Sequence, residues 1–86
     1  MVRERDARYV GRLAVFATNL GNHRRAAGLT QAALAERADL SINMIQALEK
    51  HSDGGNPRLT TLWALADALE VDPADLLAPS ALPAQR

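Results

Sequence analysis

"GLTQAALAERADLSINMIQALEK", Gly28 to Lys50, holds two runs of helix-forming residues with only a short joint, Asp39-Leu40-Ser41, between them. Gly28 suits the left-handed residue that closes a preceding helix. Thr30 can cap a helix over Gln31–Ala38, and Ser41 a second from Ile42 to about Lys50, because each hydroxyl can accept a first-turn N–H. Leu34 and Ala35 face inward on the first of these; Ile45 and Leu48 do so on the second. Helices this short are marginal alone. The rest of the chain must supply the apolar surface that holds them at a fixed angle.

Upstream, Val10, Leu13, Ala17 and Leu20 recur at helical spacing, with Arg24 on the same stripe and Tyr9 and Phe16 flanking it. They predict a long first helix from about Asp6 to Ala27. Gly11 and Gly21 each weaken it by up to about 1 kcal/mol relative to alanine, so a break near either is allowed. Downstream, "HSDGGNP" (His51–Pro57) is a loop, since its Gly-Gly and Asn-Pro pairs cannot continue a helix. A fourth helix from about Leu59 to Leu69 has Leu62, Leu65, Ala66 and Leu69 as its core stripe. "VDPADLL" opens a short fifth helix: Asp72 caps, Pro73 takes the first helical position, and Asp75 meets the positive end of the dipole. Residues 1–5 read as an arm, 6–78 as the folded domain and 79–86 as a tail.

Composition agrees. The 48% apolar fraction is dominated by 17 Ala and 13 Leu against four Val and two Ile, which favours helix and disfavours strand. The expected fold class is all-α with five helices. Absence of cysteine removes disulfides and thiolate zinc sites. His23 and His51 lie apart with no ligand cluster, so neither a metal nor another cofactor is expected, and no small-molecule ligand suggests itself. No apolar run approaches the roughly 20 residues of a membrane span. The arginine-bearing start has no apolar leader core. The expectation is a soluble, cytoplasmic protein. No Ser/His/Asp grouping or phosphate-cradling glycine loop points to an enzyme, and "SDGGN" has no strand before it.

Net charge is zero, yet unevenly spread. Residues 1–30 hold six arginines against Glu4 and Asp6, a balance of +4; residues 31–86 hold Arg37, Lys50, Arg58 and Arg86 against eight acids, a balance of −4. A polarised domain can offer a basic face to a polyanion; the split is also compatible with an ordinary solvated surface.

Two short helices on a tight joint, the second capped by serine, form the arrangement of a helix-turn-helix. There the first helix braces and the second presents its outward side chains to the major groove. Helical hairpins also serve as plain packing devices. The pieces "R24-x3-G28-L29-T30-Q31", "L34-A35-E36", "S41-x3-I45-x2-L48-E49", "N56-P57", "L62-x2-L65-A66-x2-L69" and "D75-L76-L77" occur in that order. From about Leu20 to Leu77 the chain thereby resembles the Cro and phage-repressor type of helix-turn-helix regulators, the xenobiotic-response-element-like family. The resemblance implies a five-helix, lambda-repressor-like DNA-binding domain, here with an extended N-terminal helix, in a bacterial or phage setting close to the nucleoid. It also implies that Arg24 and Glu49, single charges on apolar stripes, form an ion pair that pins the recognition helix.

With Ile45 and Leu48 inside, the outward positions are Ile42, Asn43, Gln46 and Ala47, with Met44 intermediate. Asn and Gln can bond adenine at N6 and N7, and an exposed aliphatic can meet a thymine methyl. Family position likewise points to Ile42, Asn43, Met44 and Ala47 as base readers, with Gln46 beside them. Gln31, Ser41, Lys50 and Arg58 are the expected phosphate contacts. Arg3, Arg5 and Arg8 fit a wrapping arm or a solvated charge run equally. Aspartate at position 39, where the family usually has glycine, tolerates the left-handed turn less well. The loop carrying Asp53 is longer than the common form.

One recognition helix reads too few base pairs to be selective alone, so a homodimer on a palindromic operator is expected. Trp63, Leu76, Leu77, Tyr9 and Phe16 are the candidate dimerisation residues, Trp63 being equally readable as core. The reading is a sequence-specific transcriptional regulator, a repressor by occupancy, with no second domain for sensing. The rival is a protein-interaction module on the same fold, antitoxin-like or coactivator-like, binding through Ile42, Met44 and Trp63.

Overall fold

The computed structural model describes residues 8–50 and 56–79. Arg3, Arg5, most of the "HSDGGNP" loop with Asp53, and residues 80–86 lie outside them. The described residues form four α-helices and one 3-10 turn and no strand: α1 (Val10–Ala26), α2 (Gln31–Ala38), α3 (Ile42–Glu49), α4 (Leu59–Leu69) and the turn Pro73–Leu76. The all-α expectation holds. The expected fifth helix is a single 3-10 turn, because Asp72 caps it through Ala74 N (2.9 Å) and the chain leaves after four residues. The α1 helix runs unbroken through Gly11 and Gly21. It begins at Val10, with Tyr9 as the residue before its first turn, later than the start expected near Asp6.

Three helices stop in the same way. The left-handed residue near the end of α1 is Gly28, after α2 it is Asp39 and after α4 it is Glu70, with φ of 74°, 58° and 58°. In each case that residue and its successor donate N–H groups back into the helix: Gly28 to Arg25 O and Leu29 to Arg24 O, Asp39 to Glu36 O and Leu40 to Ala35 O, Glu70 to Asp67 O and Val71 to Ala66 O. These paired back-bonds satisfy the last carbonyls. Each successor (Leu29, Leu40, Val71) is apolar and packs against the core. The stop signal is therefore half local and half tertiary: the turn is set by backbone geometry and held by burial of the next side chain.

The core gathers Phe16, Leu20, Leu34, Ile45, Leu65 and Leu76, all almost wholly enclosed. The α2 helix packs on α3 and α4, and α1 lies across α3 and the 3-10 turn. Ala35 and Ala38, buried where α2 meets its neighbours, allow the close crossing.

Burial corrects three sequence expectations. Val10, expected on the core stripe, is 47% exposed, while Phe16, expected on its flank, is buried. The inward face of α1 is set by what packs on it, and that face runs through Phe16, Leu20 and His23. Phe16 and Leu76, expected dimerisation residues, are consumed by the monomer's own core and offer no surface to a partner. Tyr9, Trp63 and Leu77 are exposed; the guanidinium carbons of Arg8 and Arg12 lie 5.8 and 5.6 Å from the Tyr9 ring centroid, within cation–π range.

A buried polar residue fixes the carboxyl end. Asn19, on the inward side of α1, donates from Nδ2 to Leu76 O (3.1 Å) and Ala78 O (2.7 Å). One amide thus satisfies two carbonyls left over by the 3-10 turn. Buried His23 stands one turn on, its Nε2 without a partner among the described residues. No helix among the described residues is long and apolar enough to cross a membrane.

Candidate functional site

The site is built on α3, one face of which is buried and the other exposed. Ile45 and Leu48 are buried. Ser41, Ile42, Asn43, Met44 and Gln46 are exposed, and Ala47 is half-buried at the edge of the ridge. Ile42 and Met44 remain 41% and 40% exposed. Among the described residues the side chains of Asn43 and Gln46 have no hydrogen-bond partner. The expected base-reading positions therefore form one outward ridge with free amides and free methyl groups.

The angle of that ridge is set at the two ends of α3. At the amino end, Ser41 Oγ accepts from Met44 N at 3.1 Å, as Thr30 Oγ1 accepts from Ala33 N at 3.0 Å on α2. At the carboxyl end, Arg24 donates from Nε to Glu49 Oε2 at 2.7 Å and from Nη2 to Oε1 at 3.1 Å. This planar, two-bond pairing has directional as well as electrostatic strength. The third nitrogen, Nη1, donates to Leu29 O at 2.9 Å, and Gln31 Nε2 donates to Glu49 Oε1 at 3.1 Å. One carboxylate thus joins α1, the α1–α2 turn, the start of α2 and the end of α3. The pair expected from the resemblance is present; the Gln31 bond has no forerunner in the sequence pattern.

Gly21 lies beside this junction, and the tight contact an added Cβ would make is with the flexible end of Arg25. A Cβ there would meet Glu49 Oε1 at 3.5 Å and the Arg25 guanidinium at 3.2 Å. Arg25 itself is exposed and bonds Asn22 Oδ1 at 3.0 Å.

Of the expected phosphate contacts, Ser41, Lys50 and Arg58 are exposed and Gln31 is half-buried. Gln31 spends one amide proton on Glu49 and keeps the other. No acidic residue occupies the first turn of α2, α3 or α4, so the positive ends of three helix dipoles are left uncompensated. Asp39 after α2 and Asp67 with Glu70 at the end of α4, together with Arg37, rim an open groove floored by Ala38, Ala64 and Ala68.

A family model described as helix-turn-helix matches residues 20–76, from buried Leu20 to buried Leu76. No curated protein and no solved structure matches the chain.

Proposed function

The chain belongs to the helix-turn-helix family, of the Cro-like, xenobiotic-response-element-like type, a DNA-binding and typically non-enzymatic family, and from that premise we propose that it is a sequence-specific transcriptional repressor. In this reading α3 lies in the major groove of double-stranded DNA. Asn43 and Gln46 bond base edges, while Ile42 and Met44 meet thymine methyls with Ala47 at the margin. Gln31, Ser41, Lys50 and Arg58 hold phosphates on either side, the first two beside uncompensated helix amino ends. The recognition helix has no cation before Lys50, so adenine–thymine steps suit it better than guanine-centred ones. Two copies acting on a palindromic operator supply the selectivity that one helix lacks.

The observation that carries this reading is the α3 ridge: two amides without partners among the described residues and two apolar side chains, left facing out by a helix whose other face is fully buried. Selection from random duplexes at low salt tests it. The expected result is an enriched palindromic motif whose recovery is lost when Asn43 and Gln46 are both changed to alanine. No enrichment at all would hand the ridge to a protein partner. The exposed Ile42 and Met44 favour that second reading, an interaction module on the same fold.

A further inference from the structure

Glu49 does more at its junction than balance Arg24. Its Oε1 accepts from Arg24 Nη2 and from Gln31 Nε2, each at 3.1 Å, while Oε2 takes Arg24 Nε at 2.7 Å. Two donors thus fill the two lone pairs of Oε1. Gln31, the first residue of α2, is half-buried beside it. A glutamine amide has a donor end and an acceptor end of nearly the same shape, and on open surface either can face outward. A carboxylate paired with a guanidinium only accepts, so it is the NH2 of Gln31 that must turn to Glu49. The two N–H bonds of a planar amide diverge. The second therefore points away from Glu49 and is left for another acceptor.

We propose that Glu49 is a positioning residue for the DNA backbone: by holding the Gln31 amide in one orientation, it makes Gln31 a pre-set donor to a phosphate. Glu49 acts through Gln31 and touches no phosphate itself. This role rests on the phosphate contact of Gln31 in the proposed function and adds the residue that sets it. A side chain ordered only on binding gives up its rotamers at that moment, whereas one held beforehand has already lost them. Gln46, exposed and without a partner among the described residues, is the unheld glutamine of the same chain. Because α3 ends at the same carboxylate, the backbone contact and the base-reading helix are set from one point.

A double-mutant cycle on duplex binding separates positioning from holding the fold. Gln31→Ala is made in the native chain and in Arg24→Met/Glu49→Leu, where no carboxylate remains to hold the amide. Affinity is read at low salt for a duplex carrying the selected motif and for an unrelated one of equal length. In the native chain Gln31→Ala should weaken binding about tenfold, alike on both duplexes, as loss of a hydrogen bond to a phosphate does. In the second background the factor should fall to about two- to threefold, because an unheld glutamine must be ordered on binding. The same factor in both backgrounds overturns the proposal, since Glu49 then only holds the fold. The native chain gives a second measurement by NMR. The side-chain amide protons of Gln31 should exchange with solvent more slowly than those of Gln46, and added duplex should shift one of the two Gln31 protons much more than the other. Equal exchange of the two glutamines, or equal or absent shifts of the two Gln31 protons, overturns the proposal as well. Binding to neither duplex sinks the repressor reading and this role together, whereas binding with Gln31 uncoupled from Glu49 sinks this role alone.

Discussion

At its carboxyl end α3 is joined to three other segments through Glu49, while at its amino end one serine cap is the only side-chain bond among the described residues and the next side chains stand free. The two ends are barely two turns apart, yet one is loaded with bonds and the other with unused donors and methyl groups. The contrast shows how an eight-residue helix can present a stable exposed surface without using that surface for its own stability. The load is carried behind and at the far end, by Ile45, Leu48 and Glu49. The exposed ridge is then free to make its bonds to something else.

The sharpest way to break this division is to unload the tied end. Glu49→Ala leaves the Arg24 guanidinium largely buried without its partner, since the side chains are only 12% and 9% exposed. A loss of about 3–5 kcal/mol is expected in urea unfolding. Arg24→Met combined with Glu49→Leu should cost far less than the sum of the single changes, because no charge is then stranded. A double-variant cost equal to that sum would mean that the pair is not acting as a unit.

The free end should behave in the opposite way. Changing Asn43 and Gln46 to alanine is expected to shift stability by less than about 0.5 kcal/mol. Discrimination between the preferred site and an unrelated duplex should nevertheless fall by about 1–3 kcal/mol for each amide removed from a base edge, measured by competition binding. Substantial destabilisation would show that the ridge carries load after all.

Ser41→Ala lies between these extremes. Removing the acceptor of Met44 N should cost about 1 kcal/mol in thermal unfolding. Thr30→Ala on α2 gives the matching control away from the ridge.

The smallest expected effects concern the left-handed stops. Glu70→Gly should stabilise by up to about 1 kcal/mol, because a residue with Cβ is strained at positive φ. Asp39→Gly should gain less, aspartate being better tolerated there. A larger gain at Asp39 than at Glu70 would mean that the joint between α2 and α3 is held under additional strain by the junction at Glu49.

How much of this is legible in the sequence depends on how far apart the partners lie. The caps at Thr30, Ser41 and Asp72 are readable because hydroxyl or carboxylate and N–H are only two or three residues apart. The Arg24–Glu49 pair is readable through two lone charges on apolar stripes and the family resemblance. Asn19 is not: its carbonyls belong to Leu76 and Ala78, in a distant part of the chain. Its only trace is a polar residue between Phe16 and His23 on what becomes the inward face. The exchange of Val10 for Phe16 has a related cause. An alanine- and leucine-rich helix has apolar residues on several sides, and which side turns inward is decided by the elements that pack on it. Glu70 carries no sign of its left-handed conformation, while Asp39 stands out as a departure from glycine. The placement of Asn43 and Gln46 outside follows from Ile45 and Leu48 inside, so the candidate ridge is more securely read than the first helix.

The bareness of the α3 ridge has a practical consequence. Letters can be exchanged at positions 42, 43, 44 and 46 while the scaffold beneath keeps its wiring, much as a type element is swapped on a fixed printer carriage. A small library at those four sites should yield folded variants in quantity, the outward surface changed and the fold kept.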